Sequence, residues 1–210
     1  MKKKYKYGII LPLKESYRQK SSGAVSIFVN EYLKNSTVAK DTVVFTNKSK
    51  GSYLSKNVCV INSYNTFFSN LNYVKKICKT NIFKYLDHVE IHNRPLYAEY
   101  IKKNYPKIKI SLFLHNTFYE KNSIINNQKK HYLLNNLDSV IFVSNFLKKQ
   151  FFNNLNINDR NNSHIIYNSV SKAKKFNKKK QKIIVFAGKL NKSKGFNIFI
   201  NVITKILDKF

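Results

Sequence analysis

The chain has 210 residues, of which 43% are hydrophobic, enough for one α/β domain with a normal core and the start of another. Its formal net charge of +29 comes almost entirely from lysine, and this argues against specific nucleic-acid recognition, which favours the arginine fork. Two isolated cysteines exclude a disulfide framework, and no apolar run has the length of a membrane span, so a cytoplasmic protein is expected.

The first half of the chain alternates short apolar runs with segments of helical periodicity. Strands are predicted at residues 5–11, 41–46, 58–61 and 85–91. Helices are predicted from apolar side chains that recur on one face of residues 25–33 and 67–78, and at residues 96–104, because the proline before them suits the first turn of a helix.

The same alternation continues in the second half. Strands are predicted at residues 107–114, 139–143 and 164–167, with helices around residues 131–134 and after Ser144, which is expected to be an N-cap. Because strands and helices alternate, the sequence predicts an α/β fold with a Rossmann-like, doubly wound parallel sheet. The lysine-rich residues 171–181 have no periodicity and are interpreted as a linker.

A basic loop near the end of the chain is a candidate anion site. Residues 183–187 are apolar and predict a buried strand, and a helix is predicted from Gly195 to Lys209. Between them lie Gly188, Lys189 and Lys194. Since the N–H groups and dipole of a helix start favour an anion, and two lysines add charge there, the loop is suited to a diphosphate.

Other candidate residues follow strand ends or precede a helix. Ser22 and Gly23 lie at a predicted helix start, where an anion or a sugar could bind. His115 follows a strand end, the place where open parallel sheets bind ligands. His92 and Arg94 also follow a strand; they could bind acceptor or phosphate, or Arg94 could hold its loop by hydrogen bonds. His88, Glu90 and His92 alternate on one strand, but two histidines and one carboxylate do not make a structural zinc site.

Four segments, in the right order, resemble the retaining family four of the GT-B glycosyltransferases. Gly188-Lys-Leu with Lys194-Gly195 resembles the donor loop, residues 138–146 the "D-x-V-I-x-V-S-x-F" segment, and residues 165–170 the "v-I-x-N-G-V" that ends the first domain. The strand end at His115 completes the set. His92-Asn-Arg-Pro95 with His115-Asn116 resembles a subgroup concerned with surface polysaccharide or lipopolysaccharide sugars.

The resemblance implies a site and its partners. Gly188, Lys189 and Lys194 would hold the diphosphate of a nucleotide-sugar, His115 would contact the donor sugar or its phosphate, and the acceptor would be a glycan or a lipid-linked molecule. No metal or other cofactor is expected, since family members stabilise the leaving diphosphate with cationic side chains and helix N-termini. The lysine-rich surface adds an expectation of peripheral contact with an anionic membrane, at its inner face.

The chain departs from the family pattern at three points. Lys189 stands where arginine is usual, Ser169 stands where glycine is usual, and the E-x7-E pair of the second domain is absent. The expected organisation is therefore an acceptor-side domain at residues 1–170, a linker at 171–181 and a truncated nucleotide-sugar domain at 182–210, which together would be an inactive fragment. The alternative from another class is a non-catalytic, lysine-rich protein that binds nucleic acid or anionic membrane.

Overall fold

A computed structural model describes residues 4–63, 69–117, 126–153, 155, 161–169, 172, 183–188 and 190–207. The contacts of the chain divide it into two compact units, residues 1–171 and 172–210. Within the described ranges, none of the helices combines the length and the apolar character needed to cross a membrane.

The first unit is built on a sheet of seven parallel strands in its described part. The strands are β1 (Tyr7–Ile10), β2 (Thr42–Asn47), β3 (Val58–Ile61), β4 (His88–His92), β5 (Lys109–Leu114), β6 (Ser139–Phe142) and β7 (Ser163–Ile165). Most of their residues are buried, because helices cover a parallel sheet on its faces. The predicted Rossmann-like α/β fold is confirmed.

The helices of this unit begin and end near the predicted positions. They are α1 (Ala24–Lys34), α2 (Ser69–Cys78), α3 (Pro95–Asn104), α4 (Asn127–Asn136) and α5 (Asn145–Phe152). The predicted N-cap is confirmed, since Ser144 Oγ accepts a hydrogen bond from the backbone N–H of Leu147 at 3.2 Å. Pro95 occupies the first turn of α3, where its missing N–H removes no helical bond.

The core lies on both faces of the sheet. Successive residues of β1 alternate between them: Ile10 packs with the cluster that contains the buried residues of α2 to α5, whereas Ile9 packs with α1. Phe28 of α1 and Phe113 of β5 belong to the α1 side. On this face of the sheet, α1 packs against the ends of β4 and β5.

The strand order places a cleft near the middle of the sheet. The order is β3-β2-β1-β4-β5-β6-β7. Strands β2 and β3 therefore lie on one side of β1, and β4 to β7 lie on the other. Loops leave β1 and β4 toward opposite faces, and in such sheets ligands bind beyond the carboxyl ends at this switch point. A ligand site is therefore expected among the residues that follow β1, β4 and β5.

In the second unit one secondary-structure prediction is confirmed and one is wrong. A helix, α6 (Phe196–Leu207), forms as expected, with Phe186 packed against Phe196 and Phe199 at ring-centroid distances of 5.4 and 5.2 Å. Residues 183–187 form no strand, and Val185 is 74% exposed. A strand needs a neighbouring strand for its N–H and C=O groups, and the described part of this unit supplies none.

Candidate functional site

At the carboxyl edge of the sheet, His115 belongs to the lining of two clefts. The larger has a volume of about 630 Å³ and runs from His115 to the start of α5, where Ser144 and Phe146 line it. The smaller, of about 300 Å³, lies between the loops that follow β1 and β4. Asn116 and Asn168 also line both clefts. The residues shared by the two clefts are thus an imidazole and two amides, all able to hydrogen-bond a polar ligand.

The backbone at His115 is held by the neighbouring strand end. Asn93 Oδ1 accepts a hydrogen bond from the His115 N–H at 2.7 Å, and the Asn93 N–H donates to the carbonyl of Phe113 at 2.8 Å. Asn93 has a φ of 54°, in the left-handed region that asparagine tolerates better than most residues. The ends of β4 and β5 are therefore tied together immediately below the clefts.

The side chain of His115 rests on a second histidine. His92 Nδ1 and His115 Nε2 lie 2.9 Å apart, at hydrogen-bond distance. His92 is fully buried, so it lies beneath the cleft rather than in its lining. Its ring stacks on Phe113 with centroids 4.9 Å apart, and Phe28 of α1 meets His115 edge-on at 5.2 Å.

Burial keeps both imidazoles uncharged at neutral pH. Removal from water lowers the pKa of His115 from 6.5 to about 4. The pKa of His92 is lowered well below its usual value by burial and, in addition, by the neighbouring His115. The site therefore presents a neutral imidazole to the cleft, which can accept or donate a hydrogen bond but adds no positive charge.

The charges of the smaller cleft come from the loops after β1 and β4. Lys14 and Glu15 line it from one side and Arg94 from the other. The Arg94 guanidinium also donates a hydrogen bond to the Asn93 carbonyl at 2.8 Å. Arg94 thus both holds its own loop and faces the cleft, so the two readings of this residue are compatible.

The helix start predicted at Ser22 and Gly23 is occupied by an internal carboxylate. Glu15 Oε1 accepts a hydrogen bond from the backbone N–H of Ser26 at 3.0 Å. A Cβ on Gly23 would lie 2.3 Å from the same oxygen, so the carboxylate fits only because residue 23 is glycine. The Ser22 hydroxyl donates to the carbonyl of Arg18. The cleft wall itself is formed by the next residues, Ala24 and Val25.

In the second unit the predicted diphosphate loop is described except for Lys189, which lies outside the described residues. Residues Lys192–Lys194 form a 3-10 turn, and Asn191 Oδ1 accepts a hydrogen bond from the Lys194 N–H at 3.1 Å. Gly195 has a φ of 74° and ends this turn before α6 begins. Gly188 precedes the turn, and Lys194 within it is exposed.

The sequence pointed to His115 and Arg94 but not to several other polar residues that line the clefts. Three of these are Glu15, Asn116 and Asn168. All three follow the strand ends of β1, β5 and β7, the same signal that selected His115. Their polar character was visible in the sequence, but many asparagines of this chain share it, so only the position after a strand could have distinguished them.

The fold is that of a Rossmann-like α/β unit, and its two clefts at the switch point form a candidate ligand site. A scan of the sequence against protein-family models finds no match. The chain is similar to the "Putative glycosyltransferase YtcC" of Bacillus subtilis (strain 168), with 27% identity over 140 residues, an alignment that covers 59% of this chain. The alignment covers 34% of the relative, so the chain spans about a third of its length.

Proposed function

We propose that this protein is a GT-B-like glycosyltransferase, which moves a sugar from a nucleotide-sugar to an acceptor. The parallel α/β sheet and the distant relative, itself named as a glycosyltransferase, both fit this class. The finer proposal is a retaining, family-four enzyme of the surface polysaccharide or lipopolysaccharide type. It is supported by the four sequence segments that resemble that family, from the strand end at His115 to the loop that ends at Gly195.

The observation that carries the proposal is the position of His115. It lies at the carboxyl end of β5, between two clefts, with a neutral imidazole and the amides of Asn116 and Asn168 around it. A sugar presents many hydroxyl groups and no charge, so uncharged donors and acceptors suit it. The resemblance gives His115 the contact with the donor sugar or its phosphate, and residues 138–146 include the Ser144 that lines the larger cleft.

The second unit would take the charged part of the donor. We propose that the diphosphate binds at Gly188, Lys189 and Lys194, with cationic side chains rather than a metal ion neutralising the departing group. The described part of this loop supports the proposal because Lys194 is exposed and belongs to a tight turn that precedes α6.

The acceptor is proposed to be a surface glycan or a lipid-linked molecule, made at the cytoplasmic face of a membrane. The net charge of +29 supports peripheral contact with anionic lipid, since each lysine near such a surface contributes about 1 kcal/mol of attraction. Lys14 and Arg94 lie at the smaller cleft and are the cations best placed to meet an anionic acceptor or phosphate.

A transfer assay with a matched control tests the proposal. Labelled nucleotide-sugars are incubated with lipid-linked acceptors and with the longest natural form of the protein that contains this chain. His115→Ala should lower turnover strongly, whereas His131→Ala, on α4 away from both clefts, should leave it unchanged. Both variants should keep the fold. Equal turnover in both variants, or no consumption of any nucleotide-sugar, would contradict the proposed function.

A further inference from the structure

A line of polar groups runs from α1 along one face of the sheet to His115. The Tyr32 hydroxyl donates a hydrogen bond to Glu90 Oε2 at 2.6 Å. The same Glu90 oxygen lies 3.9 Å from His92 Nε2, and His92 Nδ1 lies 2.9 Å from His115 Nε2. Only His115, the last member of the line, takes part in lining the clefts. The other three lie behind it.

The hydrogen bond between the two histidines requires one of them to donate. A neutral imidazole carries one N–H, so His92 Nδ1 either donates to His115 or accepts from it. Both rings are neutral, because burial lowers the pKa of His92 well below its usual value and that of His115 to about 4. The direction therefore depends on which nitrogen of His92 carries the proton.

Glu90 is placed to set that direction. His92 Nε2 is fully buried and has no hydrogen-bond partner among the described residues, and Glu90 Oε2 lies 3.9 Å from it. An N–H at Nε2 is attracted to the carboxylate, whereas a lone pair there is repelled by it. Burial raises the pKa of Glu90, and the hydrogen bond from Tyr32 opposes that rise by stabilising the ionised form.

We propose that Glu90 and His92 are positioning residues that hold His115 as the Nε2–H tautomer and leave its Nδ1 as a hydrogen-bond acceptor for the cleft. His92 carries its proton on Nε2 and accepts at Nδ1, so His115 donates from Nε2. The second ring nitrogen of His115 has no hydrogen-bond partner in the part of the chain that the structure describes.

The tautomer determines which ligand atom His115 can bind. An acceptor nitrogen pairs with a hydroxyl, which has a proton to donate, and is repelled by a phosphate oxygen, which has only lone pairs. If the proposed function is right, on which this step rests, His115 binds a hydroxyl of the sugar and the diphosphate is held elsewhere.

The tautomer can be read without substrate, from two-bond ¹H–¹⁵N correlations of the histidine rings at pH 7. The unmodified protein should show His115 with the proton on Nε2. In Glu90→Gln the side-chain amide can donate to His92 Nε2, which reverses the bond, so most of His115 should change to the Nδ1–H form. Glu99→Gln is the control, because Glu99 of α3 pairs with Lys129 of α4 at 3.0 Å and lies outside the line.

The inference is overturned if His115 is Nδ1–H in the unmodified protein, or if folded Glu90→Gln keeps the original tautomer. Should Glu90→Gln fail to fold, Tyr32→Phe, which removes only the donor to Glu90, should move the population the same way by a smaller amount. Failure of the inference is separable from failure of the proposed function. A wrong tautomer in a protein that still transfers sugar overturns only the inference, and the expected tautomer without any sugar transfer overturns only the function.

Discussion

The carboxylate of Glu15 accepts a hydrogen bond from the backbone N–H of Ser26, so the first turn of α1 already holds an anion supplied by the chain. A ligand phosphate would have to displace this carboxylate to bind there. The start of α1 is consequently better suited to a neutral sugar hydroxyl than to a second anion. Within the smaller cleft, Glu15 also offsets part of the charge of Lys14 and Arg94.

The first prediction concerns this internal cap. Glu15→Ala should lower the free energy of unfolding by about 0.5–2 kcal/mol, the usual cost of losing an N-terminal cap. Gly23→Ala should cost a similar amount, because its Cβ would lie 2.3 Å from Oε1 and push the carboxylate away. The double variant should lose little more than Glu15→Ala alone, since both changes remove one interaction. Urea denaturation measures the three values, and fully additive losses would contradict the coupling.

The second prediction concerns Asn93, which has a left-handed backbone and accepts a hydrogen bond from the His115 N–H. Asn93→Asp keeps the acceptor oxygen and should be nearly neutral. Asn93→Gly keeps the backbone tolerance but loses the acceptor, at a cost of about 1 kcal/mol. Asn93→Ala loses both and should cost roughly 1–2 kcal/mol more. Unfolding midpoints should follow the order Asp, Gly, Ala; an alanine variant as stable as the glycine variant would show that the backbone conformation is not a constraint.

The third prediction concerns Gly8 in β1. A Cβ at this position would lie 2.7 Å from Leu86 Cδ1 and 3.2 Å from Phe45 Cε2, both in the buried core. Gly8→Ala should therefore destabilise the protein by about 1–3 kcal/mol through overpacking. The same change made in a Leu86→Ala background should cost much less, because the space is then available. If the cost is the same in both backgrounds, the clash with Leu86 is not its cause.

The fourth prediction is the pH dependence of stability. Burial lowers the pKa of His115 from 6.5 to about 4 in the folded protein, so between these values the unfolded chain binds a proton that the folded chain does not. Stability should therefore fall as the pH drops from about 6.5 towards 4, by up to about 1.4 kcal/mol per pH unit for each such histidine. The pKa of His92 is also lowered, so its titration adds to this fall.

Urea denaturation at pH 7.5, 6 and 5 measures this dependence, and His115→Gln is the matched variant. It removes one of the two titrating rings and should reduce the slope below pH 6.5. An unchanged slope in the variant would mean that His115 titrates alike in the folded and unfolded protein.

The fifth prediction concerns the loop of the second unit. Removing both lysines with Lys189→Ala and Lys194→Ala should weaken binding of a nucleoside diphosphate, because a hydrogen bond to a charged group contributes about 1.5–3 kcal/mol. Lys205→Ala, near the opposite end of α6, is the control and should bind normally. Calorimetric titration of the longest natural form provides the comparison, and equal affinity in all three proteins would remove the diphosphate site from this loop.

The sheet could be predicted because each buried parallel strand is a short, nearly continuous run of apolar residues in the sequence. Residues 110–114 of β5 are all buried and are mostly apolar, and Ser144 precedes α5 as an N-cap does. The segment 183–187 has the same apolar character but forms no strand. An apolar run shows that a segment can form a strand, but it does not show whether a neighbouring strand is present to pair with it.

The contacts within the candidate site could not be predicted in the same way, because they depend on register between strands. His92 meets His115 because β4 lies beside β5 with His92 opposite Phe113. The same is true of Asp138, which begins the segment that resembles the glycosyltransferase family. Its carboxylate accepts a hydrogen bond from the Ile110 N–H at 2.8 Å. The sequence motif includes Asp138, but only the structure shows that it connects β5 to the turn before β6.

The strand order also fixes when the site can form during synthesis. β1 pairs with β2 on one side and with β4 on the other, and the second pairing joins Tyr7 to His88. While a ribosome has made only β1 to β3, one edge of β1 is open, with unpaired backbone groups that can bind another chain. The strand ends that carry His92 and His115 can therefore come together only when β4 and β5 have emerged. Slow translation of residues 62–87 should prolong this exposed state and favour aggregation of the nascent chain.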